Sequence, residues 1–134
     1  MTEYQQSGPV VIMGDFNAHL GKLGGERGVG EPNHQGILLY ELLTRCNLYA
    51  VSLSALSKGP QYTFQNNVSQ TTVDYILASH DTSDYIHRCF THCSDMLNAS
   101  DHLPITAVLQ LPHAKIVSKV PHTQKIHWAK AIKG

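Results

Sequence analysis

A chain of 134 residues with 42% hydrophobic content is long enough for one globular domain and no more. Its formal charge is zero, yet residues 1–111 hold all ten acidic residues and five of the ten basic ones, a net of −5, while residues 112–134 hold five lysines and no acid. An acidic body argues against a broad electrostatic grip on nucleic acid and suits a carboxylate-rich, cation-binding site; no apolar run approaches membrane-spanning length.

The run Pro9-Val10-Val11-Ile12-Met13 is predicted as a buried strand that ends in Gly14-Asp15-Phe16-Asn17-Ala18-His19. Residues two apart on a strand project to one side, so Asp15 and Asn17 can address one ligand together. A carboxylate there can hold a hard metal or a water, and an amide can donate to a phosphate oxygen. The same residue types also build plain turns. Five more glycines between Gly21 and Gly30 read as a mobile surface loop. That loop lacks both the Lys-Ser/Thr ending of a P-loop and the GxGxxG spacing, so no phosphate cradle is assigned to it.

Asn33 is placed to cap a helix from His34 to Cys46, with Ile37, Leu38, Tyr40, Leu42 and Leu43 as its core-facing stripe. Leu48–Val51 reads as a short strand and Tyr62-Thr63-Phe64 as another, with Asn66-Asn67 as a turn. Thr72–Ala78 is a β-rich run with Asp74 among apolar residues, Tyr85–Cys93 is a further strand, and Ile105–Leu111 closes the core. Beyond Pro112 the Pro, Lys and His content reads as a basic linker or tail. About six strands and one helix leave one sheet face with nothing in the chain to cover it.

An aspartate inside an apolar strand is costly to bury unless it is hydrogen-bonded or paired, so Asp74 needs a partner. Ser100-Asp101-His102-Leu103-Pro104-Ile105 offers one. Neighbours in extended chain point opposite ways, which leaves Asp101 badly placed to orient His102 and free to face a metal or an attacking water. Asp74 is the natural carboxylate to hold the imidazole, the usual arrangement of a general base near neutral pH. The plain alternatives are a strand-bend aspartate satisfied by backbone, and a cap or turn before Pro104. The other histidines share no spacing and read as surface residues, with His19 nearest the site. Cys46, Cys89 and Cys93 are odd in number and form no CxxC pair. His92 between two of them gives no four-ligand zinc set, so reduced thiols and an intracellular setting, nuclear or cytoplasmic, are expected. The sequons Asn67-Val68-Ser69 and Asn98-Ala99-Ser100 read as coincidence.

Taken in order, Gly14-Asp15-Phe16-Asn17, Tyr62-Thr63-Phe64, Val73-Asp74-Tyr75-Ile76-Leu77 and Ser100-Asp101-His102-Leu103-Pro104-Ile105 resemble the endonuclease/exonuclease/phosphatase superfamily over about residues 8–111. Within it they look most like the endonuclease of non-LTR retrotransposons, and the segment Lys125–Lys130 is similar to the basic, tryptophan-containing stretch that often precedes a reverse transcriptase. The resemblance implies an α/β (α+β) fold that is part of a two-sheet β-sandwich with outer helices, residues 1–111 being its C-terminal portion and 112–134 a linker. It implies Mg²⁺-dependent hydrolysis of a DNA phosphodiester. Asp15 would position or activate water and Asn17 bind the phosphate, while Asp74 would orient His102, itself a base or phosphate contact. Asp101 would lie on the metal side, and Thr63 and Phe64 would touch DNA. The superfamily's principal metal ligand, a glutamate in the first half of the domain, has no counterpart upstream of Asp15. The chain alone is therefore expected to bind Mg²⁺ weakly and be inactive, with DNA and the missing half as partners in a full-length parent. The alternatives are another phosphoesterase of the superfamily, such as an abasic-site repair nuclease or phosphatase, and a non-catalytic interaction module.

Overall fold

The computed structural model describes residues 8–112; the basic segment from 113 onward and the first seven residues lie outside the described residues. Eight strands and one helix follow in chain order. They are β1 (Val11–Asp15), α1 (His34–Arg45), β2 (Leu48–Ala50), β3 (Ser57–Lys58), β4 (Phe64–Gln65), β5 (Gln70–Thr71), β6 (Asp74–Ser79), β7 (Ile86–Thr91) and β8 (Ile105–Leu109). Short 3₁₀ turns at Gly21–Gly24, Val51–Leu53 and His80–Tyr85 join them. The expected strands at 11–15, 48–50, 74–79, 86–91 and 105–109 are present. The one expected at Tyr62-Thr63-Phe64 is shifted to Phe64–Gln65, and β3 and β5 are extra two-residue ladders too short to show a period.

The strands form two three-stranded sheets and one small hairpin. In the first sheet β6 is central, antiparallel to both β1 and β2. In the second, β7 pairs with β3 in parallel and with β8 antiparallel, while β4 and β5 make the hairpin. Strand alternation on β6 then builds two cores. Tyr75 and Leu77 face α1 and pack with Leu20, Leu39, Leu43 and Leu53. Ile76 and Ala78 face the second sheet and pack with Val51, Ile86 and Cys89, against Ile105 and Ala107. A strand buried on both faces explains why residues 75–78 are apolar without alternation, and each large buried side chain contributes about 1.5–3 kcal/mol.

Asn33 caps α1, its Oδ1 accepting from Gly36 N at 2.7 Å. The core-facing stripe differs from the one expected. Gly36, Leu39 and Leu43 are buried, whereas Ile37, Leu38, Tyr40 and Leu42 are 41–52% exposed. Contact is set at Gly36, where an added Cβ would stand 1.8 Å from the His19 carbonyl oxygen. The helix lies on its smallest residue together with Leu39 and Leu43, and Ile37, Leu38, Tyr40 and Leu42 turn outward. The glycine loop also differs from expectation, because it is tied down throughout. Lys22 N donates to Gly30 O, Gly28 N to Gly25 O and Arg27 N to Leu53 O.

No helix among the described residues is long and apolar enough to cross a membrane. The outward side of the second sheet carries Lys58, Arg88, Phe90, Thr106 and Val108, and no element among the described residues covers it.

Candidate active site

The β1–β6 register sets Asp15 directly opposite Asp74 at one end of the first sheet. Like charges facing each other across a strand pair destabilise it, so the position calls for a cation. The imidazole of His102 lies between the two carboxylates: Nδ1 is 2.8 Å from Asp74 Oδ2, and Nε2 is 4.0 Å from Asp15 Oδ2. The Asp74 side chain is 16% exposed, those of His102 and Asp15 38% and 51%. Asp74 therefore holds the ring from inside, while Asp15 and the Nε2 edge face solvent. The His102 pKa is raised above the ordinary imidazole value, chiefly by the hydrogen bond to Asp74. Partial burial opposes that rise, and the charges of Asp74, Asp15 and Asp101 add to it.

His102 is held at this point by a strand-like clamp. Phe64 and His102 form an isolated antiparallel bridge. On either side Gln65 N donates to Asp101 O at 2.9 Å and Leu103 N to Thr63 O at 2.7 Å. The Phe64 ring meets the imidazole edge-on, centroids 5.2 Å apart. From the other side Ser100 Oγ accepts from His102 N at 3.1 Å, and Asn98 Nδ2 donates to His102 O at 3.0 Å. Asn98 Oδ1 in turn accepts from Ser100 N. The Asn98-Ala99-Ser100 sequon thus uses its polar groups to shape the loop that presents the histidine.

Thr63 needs a correction. Expected to touch DNA, it is only 2% exposed. Its hydroxyl oxygen accepts from both Val73 N and Asp74 N at 3.1 Å, and its backbone bonds Thr71 and Leu103. A side chain so enclosed cannot meet a ligand, and its place is to fix the backbone that carries Asp74. Nothing in a Tyr-Thr-Phe run announces that role; only the fold shows it.

Asn17 lies beside Asp15 for a reason other than strand alternation. β1 stops at Asp15, whose Oδ1 accepts from Asn17 N at 2.8 Å, and Asn17 takes φ +47°. Asparagine tolerates this left-handed turn better than most residues. Its exposed amide makes no hydrogen bond among the described residues. His19, expected on the surface, is instead half-buried and bonded on both nitrogens, Nε2 to Val29 O at 2.9 Å and Nδ1 to Thr71 Oγ1 at 3.0 Å. It joins the glycine loop to the hairpin and is spent on that.

Asp15, Asp74 and His102 each bring a ligand atom within 4.8 Å of one another, the one such group among the described residues. Asp101 is exposed and lies outside this group, and its charge adds to the rise of the His102 pKa.

Residues 1–106 match the family described as endonuclease-reverse transcriptase. The chain belongs to that family. Its place is therefore in the endonuclease/exonuclease/phosphatase superfamily, on the retrotransposon side, and endonuclease-type phosphodiester chemistry with divalent-metal use is what the family carries in general. No curated protein matches the chain. The donor set of this family member fits a divalent cation in part. Asp15 offers an exposed carboxylate, but Asp74 Oδ2 and His102 Nδ1 already bond each other. Mg²⁺ commonly rests on one or two carboxylates and takes its other ligands from water and substrate phosphate.

Proposed function

We propose that this chain is the catalytic C-terminal portion of a retroelement DNA endonuclease. It hydrolyses a DNA phosphodiester with Mg²⁺ in its full-length parent and has little or no activity alone. The observation that carries the reading is the convergence of Asp15, Asp74 and His102, with an inner carboxylate on one imidazole nitrogen and an outer carboxylate facing the other. In this reading Asp15 Oδ2 aims the attacking water and accepts its proton as the water oxygen bonds to phosphorus. The bond from phosphorus to the leaving sugar oxygen breaks, and that oxygen takes a proton from solvent. His102, held as imidazolium by Asp74, donates from Nε2 to the scissile phosphate oxygen as charge develops there. Asn17 donates its free amide to the same phosphate, and Phe64 walls the imidazole from bulk water. Mg²⁺, held chiefly through Asp15, supplies charge neutralisation at the phosphate when bound.

With so few protein oxygens available the cation binds weakly, which is why the chain alone is expected to be inactive. The test is nicking of supercoiled plasmid in Mg²⁺ by the wild-type chain and by the Asp15→Ala/His102→Ala double variant. Intact plasmid with both agrees with an incomplete site. Nicking by the wild type alone would show these residues suffice and overturn the inactivity, whereas equal nicking by both would remove the site from Asp15 and His102.

A further inference from the structure

On the outward side of the second sheet lies an open concavity of about 470 Å³ lined by Ala55, Leu56, Lys58, His87, Arg88 and Phe90, none of them a member of the Asp15, Asp74 and His102 group. Its residues converge through the sheet. Lys58 on β3 stands in register with Phe90 on β7, and Arg88 lies two residues before Phe90, on the same face. A register irregularity between Ile86 and Arg88 turns His87 outward as well, so consecutive basic residues are both exposed.

The charge here runs against the rest of the body. Residues 1–111 carry a net −5 and only five Lys or Arg side chains. Lys22 is bound to Glu31, and Arg27 donates to the Gly59 carbonyl. Lys58 and Arg88 have no ion pair or side-chain hydrogen bond among the described residues, and no acidic residue lines the concavity. Two of the remaining cations thus share one hollow with a half-exposed aromatic ring and an exposed leucine.

We infer that this concavity binds single-stranded nucleic acid, with backbone phosphates on Lys58 and Arg88 and an unpaired base on Phe90 and Leu56. A hollow of this size takes a nucleotide. Paired cations beside an aromatic face are the combination that tracks a single strand without sequence preference, and a duplex keeps its base faces stacked away from Phe90. The choice of occupant rests on the nuclease reading; the binding itself needs no cleavage.

Fluorescence anisotropy tests it, using the full chain and a labelled oligothymidylate of about ten nucleotides across a salt series. The Lys58→Ala/Arg88→Ala variant is expected to weaken binding at least tenfold and to flatten the salt slope by about 1 to 1.5, from two phosphate contacts. Phe90→Ala is expected to weaken binding fivefold or more with the slope unchanged. The lysines of residues 113–134 are present in every variant, so their share cancels. Lys58→Arg/Arg88→Lys should restore both affinity and slope. Unchanged affinity and slope in the double alanine variant overturns the proposal, as does tighter binding of a duplex of the same length. The nicking test reads Asp15 and His102 and the anisotropy test reads Lys58, Arg88 and Phe90, so failure of the catalytic reading and failure of this one are distinguishable.

Discussion

Replacing Asp74 by Asn removes the carboxylate that does most to raise the His102 pKa. The imidazole pKa, followed by NMR against pH, is expected to fall from its raised value toward the ordinary one. The same linkage has a sign in stability. A histidine whose folded pKa lies above its unfolded value of about 6.5 contributes fully below that pH, and the contribution fades as pH rises through the folded value. Urea unfolding should therefore separate wild type from Asp74→Asn more at pH 6 than at pH 9. Thr63→Val leaves Val73 N and Asp74 N without their acceptor, and about 1–3 kcal/mol should be lost in the same measurement. Part of this site was legible in the sequence. Asp15, Asp74 and His102 are chemically demanding residues that respectively follow, interrupt and precede an apolar run, so their types and surroundings mark them. Thr63 and Asn98 are not marked, because a threonine or asparagine acquires meaning from the backbone groups it meets, and those come from segments distant in the chain.

At the scale of the element, α1 shows how an apolar count misleads. Five large apolar residues at helical spacing suggested the buried face, but the helix lies on Gly36 because only a residue without Cβ lets its first turn reach the His19 carbonyl. Leu43→Ala is expected to cost about 2–5 kcal/mol as a core truncation, while Leu38→Lys and Leu42→Lys should each change stability by less than about 0.5 kcal/mol. Thermal or urea unfolding of the three decides the face. Asn33→Ala removes an oxygen that accepts from both Gly36 N and His19 N. A loss of about 0.5–2 kcal/mol is expected, at the upper end because two donors are orphaned. The glycine loop was misread for a related reason. Glycine content signals conformational freedom in the unfolded chain, yet here Gly21, at φ +52°, and Gly28 allow backbone to pack on backbone. A tight loop and a loose one have the same composition.

Across the whole molecule the order of elements was readable, because apolar runs, Asn and Gly punctuation and one capped helix fall in chain order. How the strands group was not, since the parallel β3–β7 pair and the β4–β5 hairpin rest on two-residue ladders without a period. The architecture nevertheless explains the site. The end of β1, the start of β6 and the 98–103 loop meet at one rim of the first sheet, which is where chain segments distant in sequence bring carboxylate, carboxylate and imidazole together. The measurement that tests this convergence most directly is a titration of the chain with Mn²⁺, followed by paramagnetic broadening of its NMR resonances. Broadening confined to residues 14–17, 74 and 101–103, weak in affinity and abolished in Asp15→Asn, is the result expected. Broadening spread over other acidic residues, or unchanged by Asp15→Asn, would contradict a single site built from these three segments.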